Sequence, residues 1–246
     1  MTPPAQTALV NGADPAQAPP RTALHVVRPS SATDLVAAEQ AATAFLVALG
    51  VDLNTESLAA TPARMARAYA EMFNPRPFDL TTFPNDAGYD ELIIARSIPV
   101  QSVCEHHLLP FVGVAHVGYL PGERILGLSK LARVVELFAR RPQVQERLTQ
   151  QIADWLQDHL APRGVGVVVA AEHLCMTVRG VRASGANTVT SALHGQLRSD
   201  AASRAEFFTL IASHKRLTHE HQTQLHHCRR WHGRRHRNSD PARGGV

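Results

Sequence analysis

From about Ser31 the chain acquires a helical rhythm. Leu35, Ala38, Ala42, Phe45 and Leu46 recur at the spacing of one helix face, Thr33 or Asp34 offers an N-cap, and Gly50 ends the run. A second helix is predicted from Thr61-Pro62, with the proline in the first turn, through ARMARAYAEMF to a stop before Pro75. These two helices read as a packing layer that demands no chemistry. A loop with Pro75, Pro77, Pro84 and Gly88 follows. ELIIARSIPVQSV is then an extended, β-branched segment, and VGVAHVGYL after Pro110 is a second strand turned by Pro121-Gly122. The two suggest a hairpin-like pair.

The helical period then returns. Ser129 is positioned to cap LSKLARVVELFARR, whose Leu131, Val134, Val135 and Phe138 face a core. Pro142 is expected to open another helix, with Val144, Leu148, Ile152, Trp155 and Leu156 as its apolar stripe and Pro162 and Gly164 at its end. GVGVVVAAEHLCMTV and NTVTSAL read as strands and SDAASRAEFFTLIAS as a closing helix. This order predicts an α+β fold: an antiparallel sheet with two helices between strand pairs, preceded by an N-terminal helical layer. One domain is expected over 32–214, with the N-terminal helices in 32–74 and the core in 90–214. Residues 1–31, rich in Pro, Ala, Thr and Ser, read as a disordered extension. Residues 215–246 read as a disordered His/Arg-rich tail.

Composition changes this picture little. With 44% hydrophobic and 19% charged residues the 246-residue chain has the balance of a soluble globular protein. No apolar run approaches the roughly 20 residues of a membrane span. The N-terminus lacks the basic start and apolar core of a secretory signal, and three cysteines, an odd number, do not suggest a disulfide framework. A cytoplasmic location is expected. The net charge of +4 comes from tail arginines such as Arg229, Arg230, Arg234, Arg235 and Arg237, so neither a nucleic-acid nor a membrane partner is expected for the main domain.

The candidate chemistry centres on Cys104-Glu105-His106-His107. Side chains alternate along a strand, so the chain must turn at Glu105-His106 for Cys104 and His107 to meet one ion. Downstream, Val165, Val167, Val169, Ala171, His173 and Cys175 are expected on one strand face, which makes His173 and Cys175 neighbours. Two thiolates and one imidazole suit zinc, and three protein ligands leave the open position of a catalytic site. Spacing leaves open whether His106 or His107 is the ligand, and a pair of buried structural cysteines is the plain alternative. The remaining imidazoles suit proton transfer near neutral pH. Lys130 and Arg133 share a helix face, and with Arg179 and the hydroxyl of Ser129 they would suit a polyphosphate. Each cation taken alone reads better as a solvated surface charge. Glu146 in a first helical turn is accounted for by the helix dipole, unless a substrate presents paired N–H donors.

CEHHLLPF, GLSKLARVVELFARRPQVQERLT, and HLCMTVRGV followed by TVTSAL closely resemble GTP cyclohydrolase I, the enzyme family that opens folate and pterin biosynthesis. The resemblance runs from about residue 35 to about 213 and includes TPARMARAYAEMF and SRAEFFTLI. It implies zinc on Cys104, His107 and Cys175, with His106 and His173 as catalytic histidines. It also implies Glu146 on the guanine edge, and Ser129, Lys130, Arg133 and Arg179 on ribose and triphosphate. The implied reaction is zinc-dependent attack of water at guanine C8, loss of formate, Amadori-type rearrangement of the ribose and closure to 7,8-dihydroneopterin triphosphate. The implied architecture is the tunnelling fold, in which strand pairs from several subunits join into a barrel, typically a toroidal homodecamer with interfacial sites. A nitrile reductase of the same fold uses a nucleophilic cysteine without the zinc trio, and a regulatory or catalytically altered paralogue has no need of His106, His173 and Glu146. The intact set argues against both. The long N- and C-terminal extensions depart from the family.

Overall fold

The computed structural model describes residues 24–26 and 33–212. Strand β1 (Leu24–Val26) pairs antiparallel with β2 (Phe78–Leu80), Leu24 opposite Leu80. This corrects the expectation of disorder across 1–31: a short apolar–polar–apolar triplet sits inside polar, proline-rich sequence that hides it. The other residues of that stretch, and the tail 215–246, lie outside the described residues. Helix α1 (Leu35–Ala48) begins as expected, with the Asp34 carboxylate accepting from the Ala37 amide at 2.9 Å, and the chain leaves it through Gly50 at φ 79°. Of its predicted stripe, only Ala42 is buried, whereas Leu35 and Phe45 are 43% and 54% exposed. Helix α2 (Thr61–Phe73) carries Pro62 in its first turn and lies against α1.

Strand β3 (Thr82–Pro84) pairs with β6 (Arg124–Leu126). The hairpin is formed by β4 (Ile93–Cys104) and β5 (Pro110–Leu120), with a bulge between Ala95 and Ile98. Next come α3 (Leu128–Ala139), β7 (Pro142–Gln143), α4 (Gln145–Leu160), β8 (Gly164–His173) and the short α5 (Leu174–Thr177). Then follow β9 (Thr188–His194), α6 (Gly195–Ser199) and a helix over 201–212, α7. One sheet has the order β7-β4-β5-β8-β9.

Three expectations are corrected. Pro142 does not open a helix: Pro142 and Gln143 run parallel to Val103 and Cys104, so the sheet is mixed rather than purely antiparallel, and α4 begins at Gln145. Ser129 does not cap α3: Gly127 is the N-cap, its amide bonded to the Thr81 carbonyl at 3.0 Å, and Ser129 falls inside the first turn. Cys175 is not on the strand: β8 stops at His173 and Cys175 sits in the helical turn α5.

Helices α3 and α4 cover one sheet face, where Leu131, Val134, Leu148 and Ile152 pack against Val117, Val165 and Val167 with no exposure. Full burial of each such side chain is worth about 1.5–3 kcal/mol. On the opposite face Phe207 of α7, also fully buried, packs with Leu120, Val168 and Leu197. The sheet receives it at Gly118 and Gly166, where an added Cβ would come within 2.9 Å and 2.7 Å of the Phe207 ring. Phe207→Ala is therefore expected to lower stability by about 3–5 kcal/mol in equilibrium unfolding at fixed protein concentration. A loss below about 1 kcal/mol would mean that α7 contributes little to the fold.

Candidate functional site

The site grows from the end of the sheet where β4 stops, β5 starts and β8 stops. The connecting loop is closed by two backbone bonds, from the Cys104 amide to the Leu109 carbonyl at 2.9 Å and from the Leu108 amide to the Cys104 carbonyl at 2.8 Å. Leu108 takes a left-handed conformation, φ 52°, which makes the turn that Cys104 and His107 require. Neighbours hold this turn. The Glu105 amide donates to the Gln143 carbonyl at 3.0 Å. The Glu105 carboxylate pairs with the Arg147 guanidinium on α4, which holds it below the usual carboxylate range. The Tyr69 hydroxyl of α2 donates to the Leu108 carbonyl at 3.0 Å. The helical layer thus reaches the site, contrary to its reading as mere packing.

Cys104, His107 and Cys175 present ligand atoms that all lie within 4.8 Å of one another. The His107 Nδ1 to Cys104 Sγ distance is 3.8 Å, near the roughly 3.5 Å that a tetrahedral zinc with ~2.3 Å sulfur and ~2.0 Å nitrogen bonds sets between two ligands. His106 Nδ1 is also 3.8 Å from Cys104 Sγ, but of the two imidazoles His107 is the one grouped with both thiols. Both thiols are buried and the imidazole is exposed. Burial, and then the adjacent Cys104 thiol, push the Cys175 thiol up in pKa, since two neighbouring sulfurs resist ionising together. A divalent cation reverses that penalty, so the donor set fits zinc.

His173 is placed by strand register. It stands opposite Phe111 across β5 and β8, and the two rings stack at 4.5 Å and 11°. Burial lowers its pKa and the Glu146 carboxylate opposes this in part, so the neutral imidazole is favoured. Its Nε2 lies 2.8 Å from Gln145 Oε1. His106, His107, His173, Glu146 and both thiols line one cleft of about 260 Å³. Arg179 reaches its rim, with Nη1 3.3 Å from His107 Nε2.

Ser129, Lys130 and Arg133 are not brought to this cleft. The end of α3 nearest to it is the other one, where the Ala139 carbonyl accepts from Ser102 Oγ at 2.7 Å. Ser129 lies about 15 Å further along the helix axis. Arg133 instead contacts Glu136 at 3.3 Å, which also pairs with Arg76. Sequence reasoning missed Tyr69, Phe111, Gln145 and Arg147. Phe111 was not legible, because its neighbour His173 comes from the long-range pairing of β5 with β8 and not from the β4–β5 hairpin. Nothing in the pattern marked Gln145, a polar residue 1% exposed.

The family model for GTP cyclohydrolase I matches residues 38–212. A GTP cyclohydrolase 1 from Mycobacteroides abscessus is 57% identical over 185 residues, which cover 72% of this chain and 90% of that one. One from Streptomyces avermitilis is 56% identical over 179 residues, 71% and 89% of the two chains. One from Mycolicibacterium paratuberculosis is 55% identical over 197 residues, 78% and 95%.

Proposed function

Because the chain belongs to the GTP cyclohydrolase I family, we propose that it converts GTP and water to formate and 7,8-dihydroneopterin triphosphate, the entry reaction to pterins and tetrahydrofolate. The observation that carries this reading is the thiol–imidazole–thiol group bordered, in one cleft, by two further imidazoles and a carboxylate. Cys104, His107 and Cys175 would hold a zinc ion, whose chemistry is to acidify a water for attack at guanine C8. The chain's own residues do the rest. Glu146, exposed at the start of α4, accepts the paired N–H donors of the guanine edge, which adenine does not present. His106 and His173 carry protons to and from the ring nitrogens and the ribose oxygen. Phe111 holds the His173 ring in plane.

Ser129, Lys130, Arg133 and Arg179 are proposed to take ribose and triphosphate. The separation of the first three from the thiols is the reason to place them in a neighbouring subunit's site. Apolar side chains stand exposed beside both halves: Leu128 at 69% next to Ser129, and Val178 and Val181 at 64% and 72% around Arg179. This supports a homo-oligomer; the tunnelling fold, the toroidal decamer, the catalytic domain over 32–214 and the cytoplasmic location are proposed with it from family membership. No described helix is long and apolar enough to cross a membrane.

The deciding experiment incubates purified protein with GTP, with and without a strong chelator, and follows formate and a fluorescent oxidised pterin. Chelator-sensitive formate release is expected. No formate from zinc-loaded protein would overturn the reading.

A further inference from the structure

The side-chain amide of Gln145 has its orientation imposed by its surroundings. Its Nε2 lies 3.1 Å from the Val169 carbonyl, 2.9 Å from the Thr188 carbonyl and 3.2 Å from Thr190 Oγ1. Carbonyl oxygens only accept, so the nitrogen must face them, and a flipped amide would set oxygen against oxygen in a buried place. The hydroxyls agree. Thr149 donates to the Gln145 carbonyl at 2.8 Å, so at the 2.6 Å contact between Thr149 and Thr190 the proton belongs to Thr190. That leaves a lone pair of Thr190 for the Gln145 amide. Gln145 Oε1 is consequently fixed as an acceptor, and the atom facing it at 2.8 Å is His173 Nε2.

We infer that Gln145 is a positioning residue that holds neutral His173 in the Nε2–H tautomer and leaves Nδ1 as the nitrogen that exchanges protons with substrate. An acceptor-only partner requires a donor opposite it, so the proton stays on Nε2 in both charge states of the ring. The Phe111 stack fixes the plane of the ring, and the Gln145 contact fixes which edge faces the amide. The buried anchor is built from one strand carbonyl on β8 and from Thr188 and Thr190 of β9, so the tautomer is set by the sheet itself. The consequence for turnover rests on the cyclohydrolase reading, but the tautomer does not.

The test uses full-length, zinc-loaded protein labelled with ¹⁵N-histidine. Magic-angle-spinning spectra near neutral pH are taken without substrate, with His173 assigned by difference from His173→Asn. A protonated Nε2 and bare Nδ1 are expected. Gln145→Leu is expected to give a tautomer mixture and a kcat on the order of 100-fold lower, with KM for GTP within about threefold and zinc content unchanged. An Nδ1–H tautomer in the unaltered protein overturns the inference, and that spectrum decides it even if Gln145→Leu does not fold. A Gln145→Leu protein with unaltered tautomer and kcat also overturns it. The expected tautomer in a protein that releases no formate from GTP supports the inference and overturns the cyclohydrolase reading instead.

Discussion

Replacing Cys175 by serine is expected to abolish zinc binding and GTP turnover together. Serine preserves the size of the side chain and the α5 turn, so the fold around this buried position survives. It replaces a soft thiolate with a hydroxyl that does not ionise at neutral pH, and it leaves one thiol and one exposed imidazole. Two protein ligands do not hold a structural or catalytic zinc at ordinary concentrations. Metal analysis after dialysis should show loss of the ion, and formate release should fall by at least about 10⁴-fold, because the low-pKa water disappears with it. His106→Ala provides the contrast. It keeps the three grouped donors, so zinc content should stay near wild type while turnover falls by about 10²–10⁴-fold, the range for a lost general acid–base. Loss of metal in His106→Ala would overturn the ligand assignment. Retention of metal in Cys175→Ser would remove Cys175 from it.

Two inactive variants should rescue one another. If the cation cluster on the first turns of α3 serves a neighbour's cleft, each site takes its metal half from one chain and Lys130 and Arg133 from another. Cys175→Ser lacks the first half and Arg133→Ala the second. Arg133→Ala alone should lower kcat/KM by about 100-fold, since a guanidinium binds phosphate in a bidentate manner that alanine cannot replace. Refolded together in equal amounts, the two chains should recover roughly a quarter of wild-type activity, as random assortment around a closed ring dictates. No gain above the separate proteins would mean that each chain completes its own site. Arg133 would then have to leave Glu136 and cross the length of α3 to reach it.

How much of this was legible beforehand depended on whether the signal was local. Asp34 as a cap, Pro62 in a first turn, the α3 stripe and Leu148, Ile152 and Leu156 of the α4 stripe rest on interactions within a few residues, and they were read correctly, whereas Val144 falls before α4 as its N-cap. The turn at Glu105-His106 was also legible, because strand alternation forbids Cys104 and His107 from meeting otherwise. Pro142-Gln143 was not. A proline before a strong apolar stripe reads as a helix start, and only its pairing with Val103 and Cys104 makes it a strand. Cys175 was placed beside His173 for the wrong reason, since a helical turn and not strand alternation brings it to Cys104 and His107.

The donor inventory is written into the order of residues: two thiols, three imidazoles, a carboxylate and a set of cations, carried on motifs that resemble one enzyme family. Side-chain chemistry and local spacing suffice for that. Their division of labour came from the packed fold. It grouped His107 and not His106 with both thiols, stacked His173 on Phe111, aimed the acceptor oxygen of Gln145 at His173 Nε2, and kept Ser129, Lys130 and Arg133 at the far end of α3. The first three are contacts between elements far apart in the chain, and the last follows from which end of α3 packs near the cleft; sheet register and buried hydrogen bonding set them, and no local pattern of apolar and polar residues encodes them.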